Sequence, residues 1–222
     1  MNETTKSKQY WGEIEQAATR GRGIDIGCGP DPVSDDACRF DIEDGDANRI
    51  TDFVHEQFDF VYASHCLEHM HDPRATIQDW WKLVKPGGYL FILVPDEDLY
   101  EQGHFPSRFN PDHKATFTIS KSKSWSPKSI NVLSLANSLP EGQIVSLELQ
   151  DRGYDRALIG TSPRKPKRKV RILLKLAAWM SLEGEMGIQR LLATYYPLDQ
   201  TYSRDAQAQI QLIVRKHGTG SQ

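Results

Sequence analysis

Ile24-Asp25-Ile26-Gly27-Cys28-Gly29-Pro30 decides the fold. A short apolar run, set off by Gly21-Arg22-Gly23, reads as a buried strand that ends abruptly in a glycine turn. Glycine has no Cβ, so the backbone at Gly27 and Gly29 can turn sharply and approach a ligand closely. In open α/β sheets, a turn of this kind directly after a buried strand is where nucleotides bind. The third glycine of a pyrophosphate cradle is replaced by Pro30-Asp31-Pro32, which argues against NAD or FAD.

Downstream, Ala37 to Ile42 reads as a second strand ending at Asp41, an acid placed to accept both hydroxyls of an adenosine ribose. A carboxylate there repels phosphate, so the pattern favours a nucleoside without phosphates. Phe58-Asp59-Phe60-Val61-Tyr62-Ala63-Ser64 is rich in aromatic and β-branched residues and predicts a strand. Asp72-Pro73 then caps a helix over Arg74 to Val84, whose Ile77, Trp80, Trp81 and Val84 recur at spacings of three and four. Lys85-Pro86-Gly87-Gly88 is expected to stop it before a strand from Tyr89 to Val94, which completes a parallel crossover unit.

Outside this unit the pattern is plainer. Tyr10 to Ala18 suits a leading helix, and Pro127 to Leu139 suits a second one capped by Ser126. Ile144 to Leu149 and Ala208 to Val214 alternate as strands. The expected division is a leading helix over 1–20, a main domain over 21–160 and 199–217, and a basic helical insertion over 161–198. That insertion carries Arg164, Lys165, Lys167, Arg168, Lys169, Arg171 and Lys175 beside apolar Leu173, Leu174 and Trp179, a pattern suited to an anionic membrane face or a partner.

The 222 residues carry a net charge of -3 and 38% hydrophobic residues, which excludes disorder and a collagen-like chain. No run approaches the about 20 apolar residues of a membrane span, and the first ten residues lack a signal-peptide core. Cys28, Cys38 and Cys66 are odd in number and unlike a zinc knuckle in spacing, so a cytoplasmic, reducing setting without bound metal is expected. Nucleic acid is not an expected partner, because the chain is acidic overall and no aromatics interleave the basic run.

The turn Ile24 to Pro30, the stretch Phe58 to His69 and Leu83-Val84-Lys85-Pro86-Gly87-Gly88-Tyr89-Leu90 together resemble a class I S-adenosylmethionine-dependent methyltransferase of the methyltransferase domain 11 type. The resemblance implies an α/β, Rossmann-like open sheet, mostly parallel with an antiparallel last strand. Only about 30 residues separate Gly27 from Phe58, so its first half is abbreviated. It further implies S-adenosyl-L-methionine as cofactor, with Asp25, Gly27, Cys28 and Gly29 around the methionine part and Asp41 on the ribose. Asp46 and Ala47 fall at the adenine, and Ser64 and His65 on the strand-end wall. Asp41 to Ala47, Pro95 to Gly103 and Phe109 to Lys114 are similar to a bacterial subgroup associated with surface-polysaccharide loci, which suggests a glycan acceptor.

If the acceptor is a hydroxyl, a base must take its proton, and histidine suits that at neutral pH. His113, with Asp112 beside it to orient the ring, is the first candidate and His69 the second. Tyr100, Phe105, Phe109 and Asn110 are candidates for the acceptor pocket. Two other readings remain open. One is a cofactor-binding module that has lost catalysis and docks to a membrane or glycan-assembly partner through 164–192, and the other is an NAD-dependent oxidoreductase, which Pro30 and Pro32 disfavour.

Overall fold

The computed structural model describes residues 3–159, 197–202 and 205–218, with Ile172 besides. The basic run Arg164 to Lys175 and most of the 161–198 insertion therefore lie outside the described residues. Among the described residues eight strands are seen: β1 (Gly23–Ile26), β2 (Cys38–Phe40), β3 (Phe58–Ser64), β4 (Val84–Pro95), β5 (Thr116–Thr118), β6 (Ser129–Asn131), β7 (Gly142–Gln150) and β8 (Gln209–Lys216). The α-helices that lie wholly among the described residues are α1 (Glu3–Lys8), α2 (Glu13–Ala18), α3 (Pro73–Lys82) and α4 (Val132–Asn137).

Six strands form one sheet in the order β2-β1-β3-β4-β8-β7. β2, β1, β3 and β4 run parallel, and β8 runs antiparallel to both β4 and β7. This is the expected Rossmann-like sheet with an antiparallel last strand. The chain leaves β1 toward β2 on one side and returns to β3 on the other, so a crevice opens beyond the carboxyl ends of β1 and β3. Between β2 and β3 stands only a 3-10 segment, Ala47–Asp52, which is the abbreviation the short spacing implied.

Alternate residues of the central strands feed two cores. Val61, Ala63, Leu90, Ile92 and Val94 pack with Ile77, Trp80 and Trp81 of α3, while Phe60, Tyr62, Phe91 and Leu93 face the side where Ala18 of α2 and Trp11 close over them. Trp80 is fully buried yet keeps its indole N–H satisfied, donating to the Ala47 carbonyl at 2.9 Å. α3 begins where Asp72 accepts from the N–H groups of Arg74 and Ala75, as its sequence indicated.

Several elements differ from the sequence expectation. The leading segment is two helices rather than one, because Gly12 caps α2 and breaks the run, with Glu15 reaching back to the Gly12 N–H. Lys85 to Gly88, expected as a turn before the strand, falls within β4 as a bulge, with Gly87 at φ 83° and the register jumping from Phe58 opposite Val84 to Phe60 opposite Tyr89. The helix expected from Pro127 shrinks to α4, capped by Asn131. Ser129 to Asn131 instead pairs in parallel with Thr116 to Thr118 in a two-stranded sheet, drawn there by buried Glu97, which accepts from the hydroxyls of Thr116, Ser124 and Ser129. Among the described residues, no helix is long and apolar enough to cross a membrane.

Candidate active site

The glycine turn leaves β1 with Gly27 at φ 74° and Gly29 at φ 51°, both in the left-handed region that side chains resist. A Cβ at Gly27 would lie 2.6 Å from Cys66 Sγ, so the turn and the end of β3 are packed backbone against side chain. A Cβ at Gly29 would meet nothing within 4 Å, so that residue borders open space. The Gly29 N–H donates to Asp41 Oδ2 at 2.7 Å, which places the carboxylate closing β2 directly over the turn.

Asp25 has a different task from its neighbours. It is buried in β1 and accepts from the Val33 N–H at 2.6 Å, fixing the loop that Pro30 and Pro32 stiffen. Burial pushes its pKa up to about 7 against the help of that hydrogen bond. Cys28 is also buried, and burial raises its thiol pKa. Asp46 is exposed and caps the 3-10 segment by accepting from both nitrogens of Asn48, while the Ala47 carbonyl is engaged by Trp80.

Ser64 ends β3 with its hydroxyl oxygen buried and without a hydrogen-bond partner. His65 follows at φ 52°, with Nε2 on Gln209 Oε1 at 2.8 Å and Nδ1 3.5 Å from Glu68 Oε1. Burial alone would lower the His65 pKa, but the Glu68 carboxylate outweighs it and lifts it to about 9. Gln209 also donates to Ser7 Oγ at 3.0 Å, so β8 and α1 together steady the His65 ring.

Beyond His65 lies a cavity of about 230 Å³, walled by His65, Glu68, His69, Tyr100, Asn110, His113 and residues of α1 and the 199–209 stretch. The 110–115 loop reaches it because the Lys114 N–H donates to the Glu68 carbonyl at 2.8 Å and Lys114 Nζ to the His69 carbonyl at 2.6 Å. Thus His65, His69, Tyr100, Asn110 and His113 gather in one place, as a common site requires. Phe109 stacks edge-on against Tyr100 with ring centroids 5.7 Å apart, whereas Phe105 does not line the cavity. The glycine turn and Asp41 lie outside its walls, in the neighbouring crevice across Cys66.

Asp112 does not orient His113. It holds His69, with 2.8 Å between Asp112 Oδ2 and His69 Nδ1, and the buried Glu101 holds His113 instead, with 2.6 Å between Oε1 and Nδ1. Sequence reading missed Glu101 and Glu68. Glu68 stood in plain view beside His69, but its burial among His65, His69 and His113 depends on a loop some 40 residues away in the chain. The histidines hold its pKa below the usual glutamate value although burial alone would raise it.

Residues 8–133 match a family model described as a methyltransferase domain. No curated relative matches the chain. Among solved structures, the chain is similar to a SAM-dependent methyltransferase from Archaeoglobus fulgidus, at 15% identity over 97% of this chain and 95% of that one, with a TM-score of 0.48. It is also similar to the YcgJ protein from Bacillus subtilis, at 12% identity over 93% and 97% of the two chains, with a TM-score of 0.49.

Proposed function

We propose that this chain, which belongs to the methyltransferase domain family, moves the methyl group of S-adenosylmethionine onto an oxygen of a small-molecule or glycan acceptor held in the cavity beside His113. The observation that carries the reading is the adjacency of two sites: the glycine crevice under Asp41 and, on the next strand end, a polar cavity with oriented histidines.

The residues present fit the donor. Gly29 faces open space, Asp41 offers a carboxylate suited to ribose hydroxyls, and the buried Ser64 hydroxyl lacks a partner that a polar ligand can supply. Asp25 and Cys28 shape the loop around the methionine part from behind. Asp46 and Ala47 flank the adenine side through the 3-10 segment that Asp46 caps. When bound, the donor supplies an activated methyl group on a positively charged sulfur.

The chain's share of the reaction is positioning, dehydration and proton handling. Glu101 accepts from His113 Nδ1–H, which leaves Nε2 unprotonated in the neutral ring and turned toward Glu68 at 4.0 Å. That nitrogen takes the acceptor's hydroxyl proton, with His69 beside it, the two ring centroids 5.0 Å apart. Tyr100, its ring centroid 5.3 Å from that of His113, walls the acceptor side with Asn110, and Phe109 backs Tyr100. The face of Tyr100, backed by Phe109, suits a sugar ring, and the surface-polysaccharide association points the same way.

The test is transfer of labelled methyl from S-adenosylmethionine across a panel of saccharides and small hydroxyl and amine compounds. Label on a hydroxyl, reduced about 100-fold or more in His113→Ala while S-adenosylhomocysteine still binds, is the expected result. Label on amines alone, or normal turnover by His113→Ala across pH, overturns the oxygen-acceptor reading.

A further inference from the structure

We propose that Glu68, His69 and His113 bind one first-row divalent transition-metal ion at the floor of the cavity, with coordination positions left open toward the acceptor. The first ground is Glu68 itself. Its side chain is 1% exposed, and neither carboxylate oxygen has a hydrogen-bond partner. His65 Nδ1, 3.5 Å from Oε1, offsets part of its charge, but Oε2 accepts from nothing, and a buried carboxylate oxygen left so is disfavoured unless a donor or cation meets it.

The second ground is spacing. One donor atom from each of the three residues lies within 4.8 Å of the others. Ligands about 2.1 Å from a common ion sit roughly 3 to 3.5 Å apart, so the widest pair must close by at most roughly 1.3 to 1.8 Å. The third ground is the outer shell: Glu101 grips His113 Nδ1 and Asp112 grips His69 Nδ1. An ionised carboxylate can only accept, so both Nδ1 atoms carry the proton and both Nε2 lone pairs are free to bind a metal. Metal-binding histidines are commonly held by a carboxylate in this way.

Two imidazoles with one carboxylate suit manganese, iron, cobalt or zinc, whereas calcium and magnesium favour oxygen ligands alone. The sequence reading expected no metal, because Cys28, Cys38 and Cys66 are not spaced as a zinc knuckle. The ion and the proton transfer proposed above would use the same His113 Nε2, so the two are alternatives for that nitrogen: with an ion bound it takes no proton. Only that placement beside the acceptor rests on the methyltransferase reading.

Titrating the full chain with Co²⁺ and recording its visible absorption tests the site. The expected result is saturation at one equivalent, with cobalt ligand-field bands that Zn²⁺ abolishes. Glu68→Gln or His69→Ala should remove the bands, and Asp112→Asn, at an exposed residue whose carboxylate pairs with His69 and Lys114, should weaken binding about 10- to 100-fold. His69→Ala alters a partly exposed side chain, so it remains informative if Glu68→Gln fails to fold. No saturable binding, or an unchanged spectrum in His69→Ala, overturns the proposal. S-adenosylhomocysteine titration of the same samples separates failure of the metal site from failure of the cofactor site.

Discussion

Replacing Gly27 by alanine tests whether the glycine turn and the end of β3 are built as one unit. The residue sits at φ 74°, where an L side chain costs about 1 to 2 kcal/mol. The new Cβ would also stand 2.6 Å from Cys66 Sγ and 2.9 Å from Cys66 Cβ, and Cys66 is itself buried. Forcing an extra methyl into so tight a contact costs typically about 1 to 3 kcal/mol, so Gly27→Ala should lose about 2 to 5 kcal/mol in all. Urea unfolding should show a lower midpoint with the slope preserved. In a Cys66→Ala background the 2.6 Å contact disappears, so the same substitution should cost at least about 1 kcal/mol less, a coupling a double-mutant cycle resolves. Additive effects, or a midpoint unchanged in the single variant, would refute the contact.

Other expectations follow from buried acids and from the contact between Gln209 and His65. Asp25 keeps its proton more tightly when folded, at about 7, than at its ordinary 3.8, so the native state binds the extra proton between those values. Stability therefore falls as pH rises through that window, by up to about 4 kcal/mol, and Asp25→Asn should flatten the slope while still accepting from Val33; an unchanged slope in thermal scans from pH 4 to 7 contradicts this. Glu97 is fully buried with three hydroxyl donors and Lys121 about it, so Glu97→Ala should cost about 3 to 5 kcal/mol by denaturant unfolding, and a loss below 1 kcal/mol would mean the two-stranded sheet does not depend on it. Gln209→Leu removes the partner of His65 Nε2, and S-adenosylhomocysteine binding should weaken severalfold by calorimetry, whereas equal affinity would detach His65 from the cofactor wall.

Local signals carried the fold a long way. Phe58 to Ser64 declared β3 because its aromatic and β-branched content agrees with burial on both faces. Asp72-Pro73 declared the start of α3 because cap and proline act within four residues. Where the deciding partner lay far off, the signal faded. Ser129 to Asn131 has no strand pattern of its own and is extended because Glu97 and Phe117 await it. In the site, the glycine turn and Asp41 were legible because both follow strand ends. The exchange of partners between Asp112 and Glu101 was not, since it depends on which way two histidine rings face once the 110–115 loop closes on Glu68.

The central claim is that the crevice under Asp41 binds the adenosyl cofactor. Calorimetric titration of S-adenosylhomocysteine into wild-type protein and Asp41→Ala, with NAD run in parallel, tests it most directly. The account predicts binding of S-adenosylhomocysteine and not NAD, weakened tenfold or more in Asp41→Ala, since a hydrogen bond to a charged group contributes about 1.5 to 3 kcal/mol. Binding of NAD instead, binding of neither, or an affinity unmoved by Asp41→Ala would contradict it.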